Sequence, residues 1–217
     1  MNHSQKLIDT AVQTYTVDPA HSRIGFVARH LGFSKVRGSF PSFKGTIEME
    51  PGNLETLEAS ATIQTASVTT NDEKRDEHLR SPDFFDAANH PELIFRSTSV
   101  RTDSGDHGVL VGDLTIRGVT KSVELAVVYL GESPDPWGGT RIGIEAEGKV
   151  NRKDFGLKWN VALEAGGFMV SDEIRLVLEI QAVEQAGDQR RMVRSIGQQE
   201  PKLTEAEIGR ASCRERV

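Results

Sequence analysis

A single cysteine, Cys213, is all the thiol the sequence holds, so no disulfide can close within the chain. That composition fits a reducing compartment. No apolar run approaches the roughly 20 residues that cross a bilayer as a helix. The N-terminal Met1-Asn2-His3-Ser4-Gln5-Lys6-Leu7-Ile8-Asp9 lacks the apolar stretch of a secretory signal. The expected location is therefore the cytoplasm, with no integral membrane segment. Positive charge is in deficit, with 26 Lys and Arg against 32 Asp and Glu, a net of -6. That balance argues against nucleic acid as a partner, because phosphate needs a basic face. It also argues against general adhesion to anionic membrane surfaces. The histidines His3, His21, His30, His78, His90 and His107 show no HxH or HExxH spacing, so no dedicated metal site is expected. A GxSxG elbow, a phosphate loop and a dinucleotide fingerprint are all missing. The expectation is a protein that is not an enzyme and has no catalytic residues or cofactor.

What the sequence does contain is alternation. Ile24, Phe26 and Ala28 alternate with Arg23, Gly25, Val27 and Arg29, and Phe43, Ile47 and Met49 with Lys44, Thr46, Glu48 and Glu50, so that Gly38 to Glu50 reads as a second strand region. The same period of two returns over 57–66, 92–100, 109–116, 121–129, 140–151 and 173–183, and it places one set of side chains on one sheet face. Turn signals such as Asp18-Pro19, Pro51-Gly52-Asn53 and Gly118 separate these segments. The fold class is all-β. About eight strands joined mostly by short turns suit an antiparallel up-and-down barrel. A β-sandwich also buries one face of every strand, and periodicity does not separate the two.

One stretch breaks the pattern. Thr70-Asn71-Asp72-Glu73 matches a capping box, and Asn71 to Arg80 reads as a short exposed helix. Ser81-Pro82 reads as a second helix start, so a helical insert is expected near residues 70–90. Its Phe84 and Phe85 must dock on the barrel, as a wall or lid of a lumen or as a plug of its end. Residues 1–14 read as a flexible arm and 187–217 as a disordered tail. Within the tail, 208–217 reads as one translated frame of a common sequencing-adapter DNA, and Cys213 is given no role.

The inward set comprises Ile24, Phe26, Phe43, Ile47, Phe95, Leu114, Ile116, Leu125, Val127, Ile142, Ile144, Leu176 and Leu178. Small barrels are often filled by side chains, so these residues by themselves fit either a solid core or the lining of a cavity. Phe155 and Trp159 flank the 151–160 segment with the same two readings. His30, in phase with Ala28, falls near a barrel end, where it reads as a satisfied structural histidine or as a hydrogen-bond donor to a ligand. Arg152 and Lys153 read as a solvated turn pair or as partners of an anionic group.

Four segments in order carry a family resemblance. They are Tyr15-Thr16-Val17-Asp18-Pro19-Ala20-His21-Ser22-Arg23-Ile24-Gly25-Phe26, His78-Leu79-Arg80-Ser81-Pro82-Asp83-Phe84-Phe85-Asp86, Gly112-Asp113-Leu114-Thr115-Ile116-Arg117-Gly118-Val119-Thr120, and Val150-Asn151-Arg152-Lys153-Asp154-Phe155-Gly156-Leu157. The chain resembles the YceI-like family of polyisoprenoid-binding proteins, with the domain expected over 15–186. The resemblance implies a lipocalin-like barrel holding a prenyl quinone or polyprenyl phosphate as ligand, in a carrier or store. It allows a homodimer, which no sequence feature establishes, and many members of the family are periplasmic. The ligand-binding residues it implies are Ile24, Phe26, His30, Phe43, Ile47, Phe84, Phe85, Phe95, Leu114, Ile116, Leu125, Ile142, Ile144, Phe155, Trp159 and Leu176. The other readings are an enzyme acting on an apolar isoprenoid-like substrate, with His30 or Asp154 pointing inward, and a filled-barrel structural or interaction protein.

Overall fold

The computed structural model describes residues 11–136, 138–162 and 169–185. The strands are β1 (Gln13–Val17), β2 (Arg23–His30), β3 (Ser34–Ser39), β4 (Phe43–Glu50), β5 (Asn53–Gln64), β6 (Glu92–Ser104), β7 (His107–Ile116), β8 (Val119–Pro134), β9 (Thr140–Asn151) and β10 (Val170–Glu184). One α-helix, α1 (Glu73–Arg80), lies between β5 and β6. All pairings are antiparallel. They run β1-β4-β5-β6-β7-β8-β9-β10, and β10 returns to β1 through Tyr15↔Glu184 and Val17↔Ala182. Eight strands thus close a ring, which settles the fold as a barrel and excludes the sandwich.

β10 is long enough to serve two partners. Its C-terminal end pairs with β1, and Val170 to Glu179 pairs with β2, whose outer neighbour is β3. The β2–β3 hairpin therefore extends the wall beyond the eight-strand ring. A two-residue turn, Arg117-Gly118, joins β7 to β8 with both residues at positive φ, the geometry that matches strand twist.

Four local expectations need correction. The strand region expected over 38–50 is two strands, broken at Phe40-Pro41-Ser42, where Pro41 has no N–H for a ladder. The cap of α1 is Asp72, whose side chain accepts from the Arg75 N–H at 3.1 Å; Thr70 bonds to Asp76 instead. Residues 81–90 are successive turns and not a second helix, because Asp86 at φ 51° leaves the right-handed region. The arm expected over 1–14 overlaps β1 at Gln13 and Thr14, which pair with Met49 and Glu48. Residues 1–10 and the expected tail at 187–217 lie outside the described residues.

Candidate functional site

The ring encloses a cavity of about 230 Å³ whose wall exposes almost no polar atom. Protein interiors leave few voids larger than a water molecule, so a space of this size is a feature of the architecture. Its depth follows from the register. On β10 the wall runs through Val170, Ile174, Leu176, Leu178 and Ile180, and on β9 through Val150, Ala146 and Ile144. On β4 it takes Phe43, Gly45 and Ile47; on β5, Ile63, Ala61, Ala59 and Leu57; on β8, Val123, Leu125 and Val127. The next buried residue along each of these strands belongs to packed core: Ala182, Ile142, Met49, Leu54 and Tyr129, each at most 7% exposed and none on the wall. With Tyr15, fully buried among them, they close one end of the barrel. Burial, and then Glu132, pushes the Tyr129 hydroxyl up to about 12, so this end holds neutral phenol.

The insert covers the other end. Leu79, Phe84 and Phe85 reach the wall, and Phe85 meets the Phe40 ring edge-on at 5.5 Å. The buried carboxylate of Asp76 fixes the insert. It accepts from the Thr69 hydroxyl at 2.9 Å, the Thr70 N–H at 2.7 Å and the Thr70 hydroxyl at 2.5 Å. Burial alone would raise its pKa, but these donors together hold it below the ordinary value. Ser39 and Thr69 exchange two backbone hydrogen bonds, tying the same segment to β3. Arg117 Nη1 donates to the carbonyls of Pro82 and Phe84 at 3.1 and 2.9 Å, tying the insert to the β7–β8 turn.

Among the described residues, Arg152 is the sole charged residue on the wall, and it is 4% exposed. Its guanidinium donates to the carbonyls of Leu157 and Trp159, both at 2.7 Å, and of Ser171 at 2.9 Å, and to Asp172 Oδ1 at 3.3 Å. Burial lowers its pKa and Asp172 offsets part of that. The solvated-turn reading therefore fails for Arg152, and nothing in an Arg-Lys dipeptide signals it. Lys153 Nζ lies 2.8 Å from Asp172.

The structure brings Ile24, Phe26, Phe43, Ile47, Phe84, Phe85, Phe95, Leu114, Ile116, Leu125, Ile144, Phe155 and Leu176 together on the wall. Three expected residues are elsewhere. Ile142, 1% exposed, is in the packed end. His30, the last residue of β2, is off the wall although Val170 opposite it is on it, and its carbonyl accepts from Ser34 Oγ at 3.1 Å. Trp159 packs outside Phe84, ring to ring at 5.2 Å, and against His78 at 4.7 Å. Asp154 is exposed and off the wall. Wall positions outside the expected set include Leu93 and Leu110, which continue the alternation of Phe95 and Leu114, and Leu57 and Ile63 on β5, a strand that supplied no residue to that set. Among the described residues no cluster of three His, Cys, Asp or Glu side chains is placed to hold a metal, and no helix is long and apolar enough to span a membrane.

The model of the YceI-like domain matches residues 15–182. The chain belongs to the YceI-like family. Protein YceI of Escherichia coli O157:H7 is 42% identical over 165 residues, covering 76% of this chain and 83% of that one. Among solved structures, the YCEI protein of Campylobacter jejuni aligns with a TM-score of 0.62 at 31% identity, over 72% of this chain and 90% of its own. A polyisoprenoid binding domain from Saccharophagus degradans aligns with a TM-score of 0.57 at 17% identity, over 80% and 99% respectively. That last likeness is one of fold. In this YceI-like chain the family segments 78–86 and 150–157 supply the cavity's cover and its buried arginine.

Proposed function

We propose that the protein binds a long-chain polyisoprenoid lipid, a prenyl quinone or a polyprenyl phosphate, in the barrel cavity, as a carrier or store. The observation that carries this reading is the cavity itself, apolar on every strand and blind at one end. A branched hydrocarbon chain gains about 25 cal/mol for each Å² of apolar surface it buries. From Val170 to Ile180 the wall extends roughly 30 Å along β10, at about 3.3 Å per residue, which suits a linear ligand better than a compact one. The off-wall positions of His30 and Asp154 favour binding over turnover.

Uptake of prenyl alcohols of increasing length, followed by displacement of a fluorescent apolar probe, tests the reading. Affinity is expected to rise with chain length until the wall is filled, and Ala146→Phe, in mid-wall opposite Val127 and Leu178, is expected to abolish uptake without lowering the melting temperature. No displacement at any length contradicts the reading.

A further inference from the structure

The corner formed by the β2–β3 turn and the strand end beside it combines exposed apolar side chains with a run of cations. Leu31, Phe33 and Val161 are 37%, 75% and 40% exposed. They belong to one corner, because the Leu31 N–H donates to the Met169 carbonyl at 2.8 Å and the Met169 N–H to the Val161 carbonyl at 3.0 Å. The next residue, Val170, is already cavity wall. Phe33 leaves most of a large ring in water.

The charge around this corner is inverted relative to the chain. Residues 19–47 hold five basic side chains, Arg23, Arg29, Lys35, Arg37 and Lys44, and no acidic one, within a chain of net charge -6. Arg29 stands opposite Lys35, and Arg37 lies two residues further along β3, opposite Val27. All three cations are exposed, and among the described residues none has a carboxylate within 4.0 Å. Among the described residues, the carboxylates at the start of β10 are already engaged, Asp172 by Arg152 and Lys153 and Glu173 by Lys149.

An apolar tip flanked by unpaired cations is the pattern that seats a protein on an anionic lipid surface, the ring entering the acyl boundary and the cations meeting phosphate. We propose that this corner docks the protein on an anionic bilayer, with Leu31 and Phe33 inserted and Arg29, Lys35 and Arg37 on the head groups. The net negative charge of the chain opposes adhesion by its surface at large and favours approach through this basic hairpin. Loading of the cavity from the bilayer is the use this contact would serve, and that use rests on the lipid-carrier reading; the contact itself does not.

Flotation of the full chain with phosphatidylcholine vesicles, with and without phosphatidylglycerol, tests it. Binding is expected only to the anionic vesicles, and it should fall when salt rises from about 0.1 to about 1 M and the screening length shortens from about 10 to about 3 Å. Arg29→Glu, Lys35→Glu and Arg37→Glu together should weaken binding at least about a hundredfold, from roughly fivefold per cation removed. Phe33→Ser should weaken it even at low salt, and both variants should keep wild-type uptake of prenyl alcohol from ethanol. Absence of wild-type binding to anionic vesicles, or binding indifferent to salt and to both variants, overturns the proposal. So does a wild-type dimer in light scattering that Phe33→Ser converts to monomer, because the corner is then a contact between copies. Vesicle binding without alcohol uptake would support the docking surface and sink the carrier reading; uptake without vesicle binding would do the reverse.

Discussion

Gly38 sets how much of the lumen Phe26 leaves open. A Cβ at Gly38 would lie 2.3 Å from the Phe26 ring, so alanine must push that ring off the wall and into the cavity. Overpacking of this kind costs about 1–3 kcal/mol, and Gly38→Ala is expected to weaken prenyl-alcohol binding about tenfold; an unchanged dissociation constant would mean the ring yields elsewhere. Asp18 acts at the β1–β2 turn, where hydrogen bonds from Arg141 and His21, each at 2.8 Å, hold its carboxyl down at about 2. The folded-state value lies below the ordinary 3.8, so ionised Asp18 favours the fold. Its contribution is complete above about pH 4 and is lost as the pH falls through about 2. Between those limits the wild-type melting temperature should drop more steeply than that of Asp18→Asn. Parallel curves would show that the ion pair is not coupled to folding. Arg141 also reaches Asp135 at 2.8 Å, a second tie that no spacing in the sequence discloses.

At the scale of elements, the insert depends on Asp76. Asp76→Ala removes three hydrogen bonds and leaves the buried Thr70 N–H without its acceptor, a loss of about 3 kcal/mol. Denaturant midpoints should record it, and hydrogen exchange should quicken first over 65–91; a uniform change along the barrel would deny the insert this separate anchor. The helix here was legible from its charge and its break in alternation, and the two phenylalanines were legible as a docking pair. Which acid caps and which is buried was not, because Thr70, Asp72 and Asp76 all suit the first turn of a helix and only tertiary contact separates them. The break between β3 and β4 was hidden for a similar reason: Phe40 and Phe43 are both buried, so apolar content continues across a change of strand.

For the whole molecule, alternation reports the face a side chain takes and not its depth along the barrel. Ile142 and Ile144 share a strand and a phase, yet Ile142 lies in the closed end and Ile144 on the cavity wall. Removing buried isoleucine costs about 2–5 kcal/mol, more where the surroundings are tightly packed. Ile142→Ala should fall at the upper end of that range and Ile144→Ala at the lower end; equal losses would contradict a cavity that stops between them. The empty space has its own consequence. At about 24 cal/mol per Å³, a void of this size costs on the order of 5 kcal/mol, a large part of a typical folding free energy. Occupation relieves it, and a ligand at ~100 times its dissociation constant adds about 2.7 kcal/mol of stability, which is roughly 5–10 °C in melting temperature for a domain of this size. The most direct measurement is native mass spectrometry of the full-length protein purified without detergent, followed by organic extraction of whatever it carries. A bound mass that extracts as a prenyl quinone or a prenyl phosphate is the result this account requires. A bare protein mass that stays bare after incubation with prenyl lipids would contradict it.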